Sequence, residues 1–129
     1  MEREQKIRVM VIDSDIGYLS LIRLILQAGG QTESRLVQNG SDVLATYEGF
    51  QPQLIVMDTA MPGMSGSHTL REILQRDADI PILIFSALPE AHIGDEIPYR
   101  PSMHYINKSS AIPHMRKAIL TQLEQLNRP

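Results

Sequence analysis

Apolar residues along the chain fall into two alternating patterns. Short unbroken runs occur at IRVMVI (7–12), LIVM (54–57) and IPILIF (80–85), with weaker ones at SRLV (34–37) and HYIN (104–107). Runs of this length predict strands buried on both faces, as in a parallel sheet. Between them lie helix-period segments. YLSLIRLILQ (18–27) stops at Gly29-Gly30, SDVLATYE (41–48) opens on a Ser41 cap after Asn39-Gly40, and SHTLREILQR (67–76) follows a glycine. The last, PHMRKAILTQLEQL (113–126), has Ser110 as its expected N-cap and Pro113 near its first turn, and Met115, Ile119, Leu123 and Leu126 make one apolar stripe. Pro89, Pro98 and Pro101 interrupt the fourth helical segment, which predicts a short helix over 90–96 and an irregular connection. Strand and helix alternate five times. The expected fold is α/β: a doubly wound five-stranded parallel sheet with helices on both faces.

Composition narrows the functions available. A chain of 129 residues with 43% hydrophobic content fits a single globular domain. Its net charge of −3 is scattered, so no basic face points to nucleic acid binding by this domain. There is no cysteine, which removes disulfides, thiolate metal sites and a thiol nucleophile and fits a reducing compartment. The polar start MEREQK leads into a short apolar run, without a signal peptide or a membrane span. A soluble, cytoplasmic protein is expected.

In an open parallel sheet, ligands gather beyond the carboxyl ends of the strands, where the winding reverses. Strand one ends in Asp13-Ser14-Asp15, strand three in Asp58, strand four in Ser86-Ala87, and Lys108 follows strand five. Carboxylates packed this closely repel one another unless a hard divalent cation such as Mg²⁺ sits among them. Metal and lysine together would neutralise the oxygens of a phosphoryl group, the hydroxyl would donate to one, and Asp58 could attack as nucleophile.

These residues resemble a known family. DTAMPGMSG (58–66) resembles the phosphoacceptor loop of two-component response-regulator receiver domains, which reads D-x-x-M-P-x-M-[DS]-G. VMVIDSD resembles the acidic end of their first strand, ILIFSA their strand-four hydroxyl with the small residue after it, and YINKS their switch aromatic three residues before the lysine. The likeness runs from about Lys6 to Leu126, so that 1–129 reads as one receiver domain, and it implies the flavodoxin-like form of the fold. It further implies that Asp58 is phosphorylated and ligates Mg²⁺ together with Asp13 and the Ala60 carbonyl. Ser86 and Lys108 would hold the phosphoryl oxygens, with backbone amides of Thr59, Ala60 and Ala87 as further donors. Tyr105 would rotate as Ser86 moves, switching a protein-interaction surface. The phosphoryl donor would be a sensor histidine kinase or a phosphotransfer protein. The domain would accept the group on itself rather than turn over a substrate, and homodimerisation on phosphorylation stays open, as does an output domain.

Three positions depart from the pattern. Ser14 stands where the family has a second acid, leaving only a neutral oxygen as metal ligand there; Ser109 replaces a proline after the lysine; and YRPSMHY replaces a small-residue run before the aromatic. Taken singly, the site residues are ordinary: an Asp in a turn, a buried hydroxyl, a surface lysine, a core aromatic. Asp15 reads as the N-cap of helix one, Met61 and Met64 as packing residues, and His68, His92, His104 and His114 have no metal spacing. Two alternatives remain at this point. A degenerate receiver could act by partner binding without phosphorylation. A haloacid-dehalogenase-type phosphatase would use Asp13 as nucleophile and Asp15 as general acid and base, but it leaves the DTAMPGMSG loop without a role.

Overall fold

All five apolar runs become strands; Leu54–Met57 and Ile82–Ser86 are buried on both faces along their whole length and Ile7–Ile12 over its last four residues, whereas Thr32–Val37 and Met103–Asn107 are mostly half-buried or exposed. The computed structural model describes residues 6–58, 66–87 and 100–127. In chain order they form β1 (Ile7–Ile12), α1 (Ile16–Ala28), β2 (Thr32–Val37), a 3₁₀ turn (Gly40–Asp42), α2 (Val43–Phe50), β3 (Leu54–Met57), α3 (Gly66–Arg76), β4 (Ile82–Ser86), β5 (Met103–Asn107) and α4 (Ile112–Leu126). The expected helix over 90–96 lies outside the described residues, as does His92. Every strand pairing is parallel and the order is β2-β1-β3-β4-β5, so the winding reverses between β1 and β3.

Alternate residues of each strand feed opposite faces. Met10, Ile12, Ile55, Met57, Ile82 and Ile84 pack with Val43 and Tyr47 of α2 and Leu70, Ile73 and Leu74 of α3. On the other face Val9, Val11, Leu54, Val56, Leu83 and Phe85 meet Leu19, Ile22, Ile25 and Leu26 of α1 and Met115, Ile119 and Leu123 of α4. No residue belongs to both clusters. The stripe expected on the last helix is this contact face, with Leu126 half-buried at its end.

Three sequence expectations need correction. The fourth strand begins at Ile82 rather than Ile80, because Pro81 has no amide for the ladder; its carbonyl still accepts from the Ile55 amide at 3.1 Å. Ser41 does not cap α2, since a 3₁₀ turn intervenes and Asp42 holds the N-cap position without a side-chain cap bond. Ser110 does not cap α4 either. Pro113, in the first turn, removes an amide that such a cap would bond, and Ala111 takes the extended N-cap geometry instead. Asp15 does cap α1, its carboxylate accepting from Gly17 at 2.7 Å and Tyr18 at 3.4 Å.

Candidate functional site

Strand register assembles the site. Ile12 pairs with Met57, and the ladder runs one residue further, with the Asp58 amide donating to the Ile12 carbonyl at 2.9 Å and the Asp13 amide to Val37 at 3.1 Å. Asp13 and Asp58 therefore leave neighbouring strands at one level, at the reversal point. Both are buried, at 1% and 7% exposure. Two buried carboxylates side by side require a cation. Lys108 supplies it: its Nζ lies 2.8 Å from Asp13 Oδ2 and 2.9 Å from Asp58 Oδ2.

The lysine reaches them because its backbone is held. Ser86, wholly buried at the end of β4, pairs with Asn107 and accepts the Lys108 amide through its carbonyl at 2.8 Å. The Lys108 carbonyl accepts from the Tyr18 hydroxyl at 3.3 Å, and Nζ stands 4.2 Å from the centroid of the Tyr18 ring. After it, Asn107 Oδ1 accepts from the Ser109 amide at 2.7 Å and hydroxyl at 2.6 Å, an Asx turn in the position of the family's proline. Asn107 Nδ2 also reaches the half-buried Tyr105 hydroxyl at 3.5 Å, the outer limit for such a bond. Asp13 Oδ1 accepts from the Asp15 amide at 2.9 Å, which orients the carboxylate. Burial, acting first and downward, opposes the charge on Lys108, but the hydrogen bonds and charges of Asp13 and Asp58 together outweigh it, so the ammonium titrates above the ordinary lysine value.

Comparison with known proteins identifies the family. The family model for the response regulator receiver domain matches residues 9–120. The chain belongs to this family. As a receiver domain of two-component response regulators, it is similar to the chemotaxis protein CheY of Bacillus subtilis, with 32% identity over 81 residues that cover 63% of this chain and 68% of that protein. It is also similar to a protein-glutamate methylesterase/protein-glutamine glutaminase of Clostridium acetobutylicum, 32% identical over 67% of this chain and 25% of that protein. The DNA-binding response regulator MtrA of Mycolicibacterium smegmatis is 28% identical over 62% of this chain and 34% of its own length. The receiver domain thus spans a quarter to a third of the length of two of these relatives. Chemotaxis protein CheY4 of Vibrio cholerae has the same fold, with a TM-score of 0.77 at 19% identity over 94% of this chain and 98% of that one.

Not every expected site residue falls within this picture. Thr59 and Ala60 lie outside the described residues, as do Met61 and Met64; Ala87 is described and is exposed. His68, His104 and His114 are exposed on the surface of the receiver domain. Ser14 is half-buried beside Asp13, and its carbonyl accepts from Gln38 Nε2 at 3.2 Å. Among the described residues no group of three or more His, Cys, Asp or Glu is placed to hold a metal. The donors present, two carboxylates and a serine, are hard oxygens of the kind Mg²⁺ takes, with one negative ligand fewer than three acids would give. Tyr18 and Asn107 were not singled out by sequence pattern. Tyr18 reads as one more apolar residue of helix one, whereas Asn107 two residues before a Ser was a legible turn signal.

Proposed function

We propose that this receiver domain accepts a phosphoryl group on Asp58 from the phosphohistidine of a sensor kinase or phosphotransfer protein. The observation that carries the reading is the Lys108 ammonium placed between Asp13 and Asp58. A carboxylate oxygen of Asp58 attacks phosphorus as the P–N bond breaks, and the electron pair returns to the imidazole nitrogen, which is reprotonated. Lys108 stays beside the charge that builds on the phosphoryl oxygens and stabilises it. Asp13, Asp58, the Ala60 carbonyl and the neutral Ser14 oxygen would hold Mg²⁺. When bound, the metal neutralises phosphoryl oxygens that the lysine does not reach.

Ser86 then takes a phosphoryl oxygen together with the backbone amides of Thr59, Ala60 and Ala87, and Tyr105 follows Ser86, shifting the population of a partner-binding face. The whole of 1–129 serves as one receiver unit in the cytoplasm. It is a substrate of the relay rather than a turnover enzyme, and dimerisation of the phosphorylated form is a consequence open to test. A second reading, phosphorylation-independent partner binding, is favoured by Ser14 alone.

Intact mass after treatment with a small phosphodonor and Mg²⁺ tests the choice. One added phosphoryl group, labile in alkali and absent from Asp58→Asn, supports the phosphoacceptor. No label with any donor supports the second reading. Lys108→Ala should slow labelling, while Ser86→Ala should leave labelling largely intact and weaken the response at Tyr105; equal damage to labelling would refute that division of roles.

A further inference from the structure

Tyr18 touches the lysine twice, by independent means. Its ring face lies 4.2 Å from Lys108 Nζ, and its hydroxyl donates to the Lys108 carbonyl at 3.3 Å, across ninety residues of sequence. The tyrosine is itself fixed, because its amide belongs to the Asp15 cap at the start of α1. A side chain that only filled space would need neither contact. With Asp13 and Asp58, the ring gives the ammonium a third neighbour, and this one is neutral.

That difference matters to the reaction. An ammonium between two carboxylates can be drawn fully onto either, whereas the negative face of an aromatic ring attracts it without adding charge that would repel an arriving phosphoryl group. Tyr18 and Lys108 also line a cleft of about 300 Å³ between the first turns of α1 and α4. Removing the ring would open the ammonium to the water of that cleft. We infer that Tyr18 is a positioning residue for Lys108, its ring steering the ammonium toward the phosphoryl oxygens on Asp58 and its hydroxyl anchoring the loop that carries the lysine. The inference rests on the phosphoacceptor reading of Asp58 for its chemical purpose, but not for the contact itself.

The chain has three lysines, Lys6, Lys108 and Lys117, so lysine labelled with ¹³C at Cε gives three resolvable methylene signals. In the unphosphorylated wild type one signal should be shifted upfield by the ring current. The shift should persist in Tyr18→Phe and vanish in Tyr18→Leu. In the same proteins, labelling by a small phosphodonor should fall by about two- to thirtyfold for Tyr18→Leu, the range between an exposed and a desolvated cation–π contact. Tyr18→Phe should recover most of that rate, since it keeps the ring. A wild-type Lys108 signal at the position of Lys6 and Lys117 would overturn the inference without any variant having to fold. Labelling of Tyr18→Leu at the wild-type rate would overturn it too. A ring-shifted Lys108 in a wild type that takes no label would instead overturn the phosphoacceptor reading, and with it the role in phosphoryl transfer.

Discussion

Residue by residue, the site is governed by how many charges share a small buried volume. Asp13 and Asp58 share one ammonium, and Ser14 withholds the further carboxylate that the family pattern would add. Ser14→Asp should therefore tighten Mg²⁺ binding by about tenfold, or ~1.4 kcal/mol, while raising repulsion when metal is absent. Thermal melts should show the variant below wild type in chelator and above it in excess Mg²⁺. Curves that never cross would place residue 14 outside the metal site. Lys108 gives a second test. Its charged form is favoured in the folded state, so its stabilising contribution is complete below the unfolded lysine value of about 10.5 and disappears as the pH rises through the higher folded value. The difference in melting temperature between wild type and Lys108→Met should be constant at neutral pH and shrink above about pH 10.5; a difference unchanged into strong alkali would refute the pairing. These residues were legible because each follows an apolar run, where a charge has no packing explanation. Tyr18 was not, since its role depends on a lysine distant in sequence.

Among elements, apolar interiors followed the sequence pattern more closely than helix ends did. Hydrophobic period decides which face is buried, and β1 and β3 match their apolar runs residue for residue. Caps depend on backbone angles that serine does not dictate, which is why Ser41 and Ser110 failed as caps while Asp15 succeeded. The C-terminal end of α2 shows the same limit. Gln51 there adopts φ 54° and ψ 63°, a left-handed conformation that glycine accepts far more readily. Gln51→Gly removes that strain but also the exposed Gln51 Nε2 bond to the Glu48 carbonyl, at 3.0 Å. Relief of the strain is worth more than a bond that water can replace, so the variant should gain about 0.5–1 kcal/mol in urea unfolding with an unchanged m-value. A loss of stability would mean that the side-chain bond outweighs the backbone.

For the whole molecule, sheet order sets both stability and access. β1, β3 and β4 are paired on both edges, whereas β2 and β5 are paired on one and each has a single buried residue, Val37 and Ile106, among half-buried and exposed ones. Amide exchange should accordingly be slowest in β1 and β3 and faster by orders of magnitude in β2 and β5. Uniform protection across all five strands would contradict this. The fold class was readable from strand and helix alternation alone. The meeting of Asp13 and Asp58 at the carboxyl ends of neighbouring strands was readable too, but not the pairing of Ile12 with Met57 that sets them level, a register that no local pattern encodes. Because the sheet divides the interior into two clusters with no common member, it also acts as a thermodynamic partition. Ile73→Val on one side and Ile119→Val on the other should each cost about 0.5–1.5 kcal/mol. The double variant should cost their sum to within about 0.5 kcal/mol, whereas two truncations within one cluster should show measurable coupling. Sequence change on one side of the sheet could then proceed without compensation from the other, leaving the face of α1 and α4 free to diverge independently of the face of α2 and α3.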